Sequence, residues 1–170
     1  MERIAKFQKV SLDRWKRDIQ DIFGGSISGE EAEKLWEQIR LPKRATAGSA
    51  GYDICTPVDI CLRPGESMKI PTGIRAGMRQ DYCLFIVPRS GLGSRYRFQL
   101  NNTTGVIDSD YFFSDNEGHI FVPMINDSRE GKVLELKAGS AFVQGIFCPF
   151  GITEDDDAEG TRNGGFGSTG

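Results

Sequence analysis

Two kinds of hydrophobic spacing divide this chain. Residues 3–10 alternate loosely between apolar and polar, the period-two pattern of a strand. From Leu12 the spacing lengthens: Leu12, Trp15, Ile19, Ile22 and Phe23 fall on one face of a helix, with Ser11 as its cap and Gly24-Gly25 as its stop. A second start signal follows in Ser28 and Glu31, which have capping-box spacing, and Ala32, Leu35, Trp36 and Ile39 supply the next apolar stripe. The pattern predicts a helical hairpin over about residues 11–39. Such a stripe covers a sheet, its commoner use, or offers a docking surface to a protein partner.

From Leu41 onward the character changes. Short runs rich in Val, Ile and Phe are broken by Pro64-Gly65, Thr72-Gly73, Asn101-Asn102 and Gly131. Strands are expected at 51–54, 58–62, 67–70, 84–87, 119–125 and 141–149, an all-β pattern of the sandwich or barrel kind. After Phe150 the acidic run Glu154-Asp-Asp-Asp157 leads into glycine-rich chain. We expect a single domain over residues 1–151 and a mobile arm over 152–170.

Composition narrows the function. At 170 residues and 38% hydrophobic content the chain can bury one modest core. No run reaches the roughly 18 apolar residues of a membrane span, and the first residues lack a signal-peptide core, so a soluble, cytoplasmic protein with no membrane partner is expected. A net charge of -3 gives no basic field for a long nucleic acid, so any nucleotide ligand should be small. Cys55, Cys61, Cys83 and Cys148 have no CxxC spacing, which argues against a zinc site or a disulfide framework.

Four segments carry candidate chemistry: the tail and residues 47–53, 88–93 and 105–111, in the last three of which glycine permits close backbone approach beside a polar or charged residue. The tail, with Arg162, three glycines around Phe166, then Gly167, Ser168 and Thr169, has the composition of a phosphate cradle without the Lys or the following helix of a P-loop. Arg89, Ser90 and Gly91 suit an anionic oxygen, because guanidinium offers a planar fork beside a hydroxyl and backbone N–H groups; the same residues also read as a β-turn with a surface Arg. Asp108 follows Val106-Ile107 and so stands at a strand end, where partial desolvation suits a general base, though a turn-forming Asp has the same signature. Tyr111 either lies against a sugar, crowding a 2′-hydroxyl, or packs in a sheet. His119, the single histidine, reads as an ordinary strand residue, and the acidic run 154–157 as a solvated face rather than a metal site.

Taken in order, AGSAGYD (47–53), PRSGLG (88–93), GVIDSDY (105–111), AFVQGIF (141–147) and RNGGFGSTG (162–170) resemble the five motifs of the trimeric deoxyuridine triphosphatase (dUTPase) family. The resemblance spans residues 41–170 and includes the 19-residue interval from Arg89 to Asp108. It implies a jelly-roll-like β domain, a homotrimer with shared active sites, and magnesium-assisted hydrolysis of dUTP to dUMP and pyrophosphate. Asp108 would then activate water for attack on the α-phosphorus. Tyr111 would be the platform beneath the deoxyribose. Asn102 would contact uracil, and Gly105 and Ile107 would also bind the substrate. Arg89, Ser90, Gly91 and Gln144 would hold phosphate oxygens, and Asp53 would support the phosphate and metal region. Phe166 would stack over uracil while Gly167, Ser168 and Thr169 close on the γ-phosphate, Arg162 also reaching toward it. Magnesium would bind through phosphates and water, with no direct protein ligand.

Three features depart from the family pattern. Arg162 and Phe166 are four residues apart instead of five, residues 112–117 lengthen the turn after Tyr111, and the helices of 11–39 are additional. Two other readings compete. A dCTP deaminase on the same fold would need a Glu on the strand after the third motif, where Pro123 and apolar neighbours stand instead. A nucleotide-controlled regulatory protein would not need Asp108.

Overall fold

The computed structural model describes residues 1–160. Strand β1 (Ala5–Lys9) runs through Ser11 into α1 (Leu12–Phe23). The Ser11 hydroxyl accepts the Arg14 N–H at 3.1 Å, and Gly24 closes the helix in the left-handed region at φ 58°, where a side chain would be strained. Helix α2 (Gly29–Gln38) starts in the same way, Ser28 accepting the Glu31 N–H at 3.1 Å. Then follow β2 (Lys43–Arg44), β3 (Tyr52–Cys55), β4 (Ile60–Leu62), β5 (Ser67–Pro71), β6 (Ile74–Met78), β7 (Tyr82–Pro88), α3 (Ser90–Tyr96), β8 (Phe98–Leu100) and β9 (Gly105–Ile107). A 3₁₀ turn over Ser109–Phe113 precedes β10 (Phe121–Asn126), β11 (Leu134–Leu136) and β12 (Ala141–Pro149).

The strands form a five-stranded sheet in the order β2-β3-β12-β7-β9, a three-stranded sheet β5-β10-β8, and the pairs β1-β6 and β11-β4. All pairings are antiparallel. The molecule is therefore mostly β, as expected, with one continuous core that includes Ile54, Ile70, Leu84, Ile86, Val122, Met124 and Phe142.

The hairpin joins that core. Trp15, Ile19 and Ala32 are fully buried, the Trp15 indole N–H donates to the Ala32 carbonyl at 2.7 Å, and the Trp36 indole N–H donates to the Val10 carbonyl at 3.0 Å. Gly73, at φ 70°, lets β5 turn into β6 beneath these side chains; a Cβ there would strike the Ile39 side chain and crowd Trp15. Burying Trp15 and Ile19 contributes on the order of 1.5–3 kcal/mol apiece. The apolar stripe is thus spent on the protein's own interior, the commoner of the two uses expected for it. Residues 151–160 are exposed and carry no helix or strand; Arg162, Phe166, Gly167, Ser168 and Thr169 lie outside the described residues. No helix among the described residues is long and apolar enough to cross a membrane.

Candidate active site

One cluster forms where β3, β12 and β7 meet. Asp53 on β3 and Gln144 on β12 are direct cross-strand partners, so their side chains share a face. Arg89, immediately after β7, reaches that face and places its Nε 3.2 Å from the Asp53 carboxylate. Gly51 is required here: a Cβ would fall on the Gln144 side-chain amide, so the glycine of AGYD keeps the space that Gln144 occupies. Ser90 and Gly91 open α3, whose first turn leaves their backbone N–H groups without intrahelical acceptors. The turn expected at PRSGLG is therefore a helix start. An arginine, an amide, a hydroxyl and two N–H groups at one sheet end form a set of donors for an anion.

A second cluster surrounds β9. Asn102 is exposed in the turn that enters β9, and Asp108 stands just past its end, so the strand between them spans roughly 10 Å, a length a nucleoside can bridge. Ile107 is in the core at 2% exposure, leaving only its backbone for a ligand. Gly105 packs closely on its neighbouring strand, where a Cβ would sit 3.2 Å from that of Ile86.

Sheet register keeps the two clusters apart. Leu84 of β7 pairs with Ile107 of β9, which aligns Asp108 with Cys83 at the start of β7, whereas Arg89 follows its other end. The Cys83 thiol is pushed above its ordinary value by burial first, then by Cys148 and the Asp108 carboxylate, in keeping with that alignment. Six residues of strand separate Arg89 from Asp108 by about 20 Å. A single chain cannot bring both to one phosphate.

Tyr111 differs from the open platform that the resemblance implies. Its side chain is only 1% exposed, and its hydroxyl donates to the His119 carbonyl at 2.7 Å while accepting from Asn116 Nδ2 at 2.7 Å. The long segment 112–118 causes this by folding back over the ring: Ser114 Oγ donates to the Tyr111 carbonyl, and Arg75 lies on the Phe112 ring at 3.6 Å and donates to its carbonyl. His119 is likewise more than a strand residue. Its ring is fully buried, with Nδ1 2.5 Å from Asp18 of α1 and Nε2 accepting the Gly73 N–H at 2.8 Å. An acceptor at Nε2 fixes the neutral Nδ1–H tautomer, and burial holds the imidazole below its ordinary pKa despite Asp18. Burial works against the Asp18 charge too, but hydrogen bonds from His119 and Arg14 outweigh it and hold that carboxyl below its usual range. Asp18, Asn116 and Glu117 were not found by sequence reasoning.

The dUTPase family model matches residues 37–170, so α1 and most of α2 precede the match. The deoxyuridine 5′-triphosphate nucleotidohydrolase of Lactococcus lactis is 43% identical over 135 residues, covering 78% of this chain and 89% of that protein. The enzyme of the same name from Tolumonas auensis is 36% identical over 145 residues, covering 81% and 91%. The crystal structure of Streptococcus mutans dUTPase superposes with a TM-score of 0.60 at 38% identity, covering 67% of this chain and 88% of that one. A dUTPase from a Staphylococcus aureus phage, which coordinates a structural Mg(II) ion, shares the fold with a TM-score of 0.63 at 18% identity, covering 93% of this chain and 98% of the other.

Proposed function

Because the chain belongs to the dUTPase family and is a dUTP nucleotidohydrolase, we propose that it cleaves dUTP to dUMP and pyrophosphate at sites completed between copies of itself. The observation that carries this reading is the strand register: Arg89 and Asp108 lie at opposite ends of β7, and a symmetric assembly that apposes the two ends restores a single site. An apolar band supports a homotrimer. Phe85 pairs across the sheet with Val106 and Ile146, and Val106 is 46% exposed in the lone chain. The domain is then the jelly-roll-like unit of that family, with the hairpin added before it and residues 152–170 as the arm that closes the site.

Within each site Asp108 takes the proton of the attacking water as its oxygen approaches the α-phosphorus, and the α–β phosphoanhydride bond breaks to release pyrophosphate. Arg89, Gln144, Ser90 and the N–H of Gly91 hold phosphate oxygens in line and meet the charge that develops there. Asp53 keeps Arg89 in place before substrate arrives. Asn102 and the backbone of Gly105 and Ile107 face the nucleoside. Tyr111 bounds the sugar, and contact with it requires the cover over the ring to yield. From the tail, Phe166 covers the base, Gly167, Ser168 and Thr169 close on the far phosphate, and Arg162 adds charge.

The residues present fit magnesium. Asp53 is a carboxylate at the phosphate end, paired with Arg89. One carboxylate beside triphosphate and water oxygens is a donor set that Mg²⁺ accepts, with Asp53 acting through water. When bound, the ion neutralises charge on the phosphates.

Strand β10, FVPMIN, carries no carboxylate, which favours hydrolysis over deamination. Pyrophosphate release should be measured across dUTP, dCTP, dTTP and UTP, with ammonia release from dCTP in parallel. Hydrolysis of dUTP far ahead of the others is expected, and Asp108→Asn should bind nucleotide while losing at least about a hundredfold in turnover. Ammonia from dCTP at a comparable rate, or near-normal turnover of Asp108→Asn, would overturn the assignment.

A further inference from the structure

We propose that Asp18 and His119 are positioning residues that set sugar discrimination, by tying α1 to the segment that holds Tyr111. Two attachments fix that segment to one helix. Near its end the Glu117 carboxylate accepts the Ser11 N–H at 2.8 Å and the Ser11 hydroxyl at 2.6 Å. Two residues later His119 meets Asp18. Ser11 and Asp18 are seven residues apart, two helical turns, and so lie on the same side of α1.

Between these anchors the backbone bends through Glu117 at φ 60° and Gly118 at φ 68°; a Cβ at Gly118 would collide with the backbone of Tyr111 and Phe112. The geometry therefore persists only because both sides of the bend are held. What it holds is Tyr111: the hydroxyl rests on the carbonyl of His119 itself and on the side-chain amide of Asn116, a residue whose backbone carbonyl in turn accepts the His119 N–H at 3.1 Å. The imidazole is wedged between Trp15 and Phe121, with ring centroids 6.2 and 4.3 Å away, so its backbone cannot shift without moving the hairpin core. The lengthened turn and the extra helices are one device. Each is anchored by the other, and together they limit how far Tyr111 gives way to a sugar.

This inference rests on the reading that Tyr111 bounds the sugar, so the test separates the two. The quantity to measure is the ratio of kcat/KM for dUTP to that for UTP, alongside Tm. Asp18→Ala removes the Nδ1 acceptor and should lower the ratio at least about tenfold, because a displaced ring admits the 2′-hydroxyl. Asp18→Asn, whose amide oxygen still accepts from His119, should keep the ratio within about threefold of wild type. Asn116→Ala, a change at a half-buried turn residue that removes the donor to the Tyr111 hydroxyl, should lower the ratio, and it decides the matter if Asp18→Ala does not fold. An unchanged ratio in folded Asp18→Ala or in Asn116→Ala, with both substrates losing equally, would overturn the positioning role. An unchanged ratio in Tyr111→Ala would overturn the sugar reading and this inference with it.

Discussion

His119 makes acid sensitivity a test of the buried network. It is the only histidine in the chain, and histidine is the side chain whose ordinary pKa lies between pH 5 and 8. Unfolded, it takes up a proton near pH 6.5; folded, burial holds its pKa lower. Between those two values the unfolded chain binds a proton that the folded chain does not. Stability therefore rises with pH in that window and falls as pH drops below about 6.5, with a slope of at most about 1.4 kcal/mol per pH unit for one proton. The physical cause is local: protonation would set a second donor against the Gly73 N–H at Nε2. The carboxyls held below their ordinary values, Asp18 and Glu117 among them, stabilise above those values and lose that contribution only in the acid region beneath the histidine window. Urea midpoints taken at fixed protomer concentration from pH 8 to 5 should be flat above about 7 and then decline. In His119→Gln the decline between 6.5 and 5 should disappear, at a cost of about 1–3 kcal/mol at pH 8 for the lost buried hydrogen bonds. Stability that rises as pH falls would mean an imidazolium paired with Asp18, and would refute the neutral tautomer.

Two further perturbations follow from the site. Gly51→Ala should displace the Gln144 amide, a flexible side-chain end, and so cost activity by up to about a hundredfold while changing the urea midpoint little; full activity would remove Gln144 from the phosphate grip. Deleting residues 161–170 should leave stability within about 0.5 kcal/mol, because the core is built from Phe7 to Val143, yet severely reduce dUTP hydrolysis. Retained hydrolysis would defeat the closing arm.

What was legible in the sequence was local. Ser11, Gly24 and Ser28 act through bonds to residues three or four positions away, so both helices could be read from them. The strand β12 was legible because its nine residues, mostly apolar around Gln144, have no helical spacing. Strand β6 was not: Ile74-Arg-Ala-Gly-Met78 has little β-branching, and its partner β1 lies some seventy residues earlier. The same distance effect hid Asp18, whose partner His119 is 101 residues away. Spacing joined Arg89 and Asp108 in one motif set, but only register shows that one chain holds them apart. A packed Tyr111 was one of the two readings, but its cover was not legible because it comes from the segment that breaks the familiar pattern.

Complementation between inactive copies tests the shared site most directly. Arg89→Ala and Asp108→Asn should each be nearly inactive alone. Co-assembled at equal amounts, a site is intact when its phosphate end comes from an Asp108→Asn copy and its base from an Arg89→Ala copy. Each condition is met half the time, so turnover of dUTP should recover to about one quarter of wild type. If both residues act from the same chain, no mixture contains an intact site. Activity of the mixed assembly no higher than that of the separate variants would contradict the account.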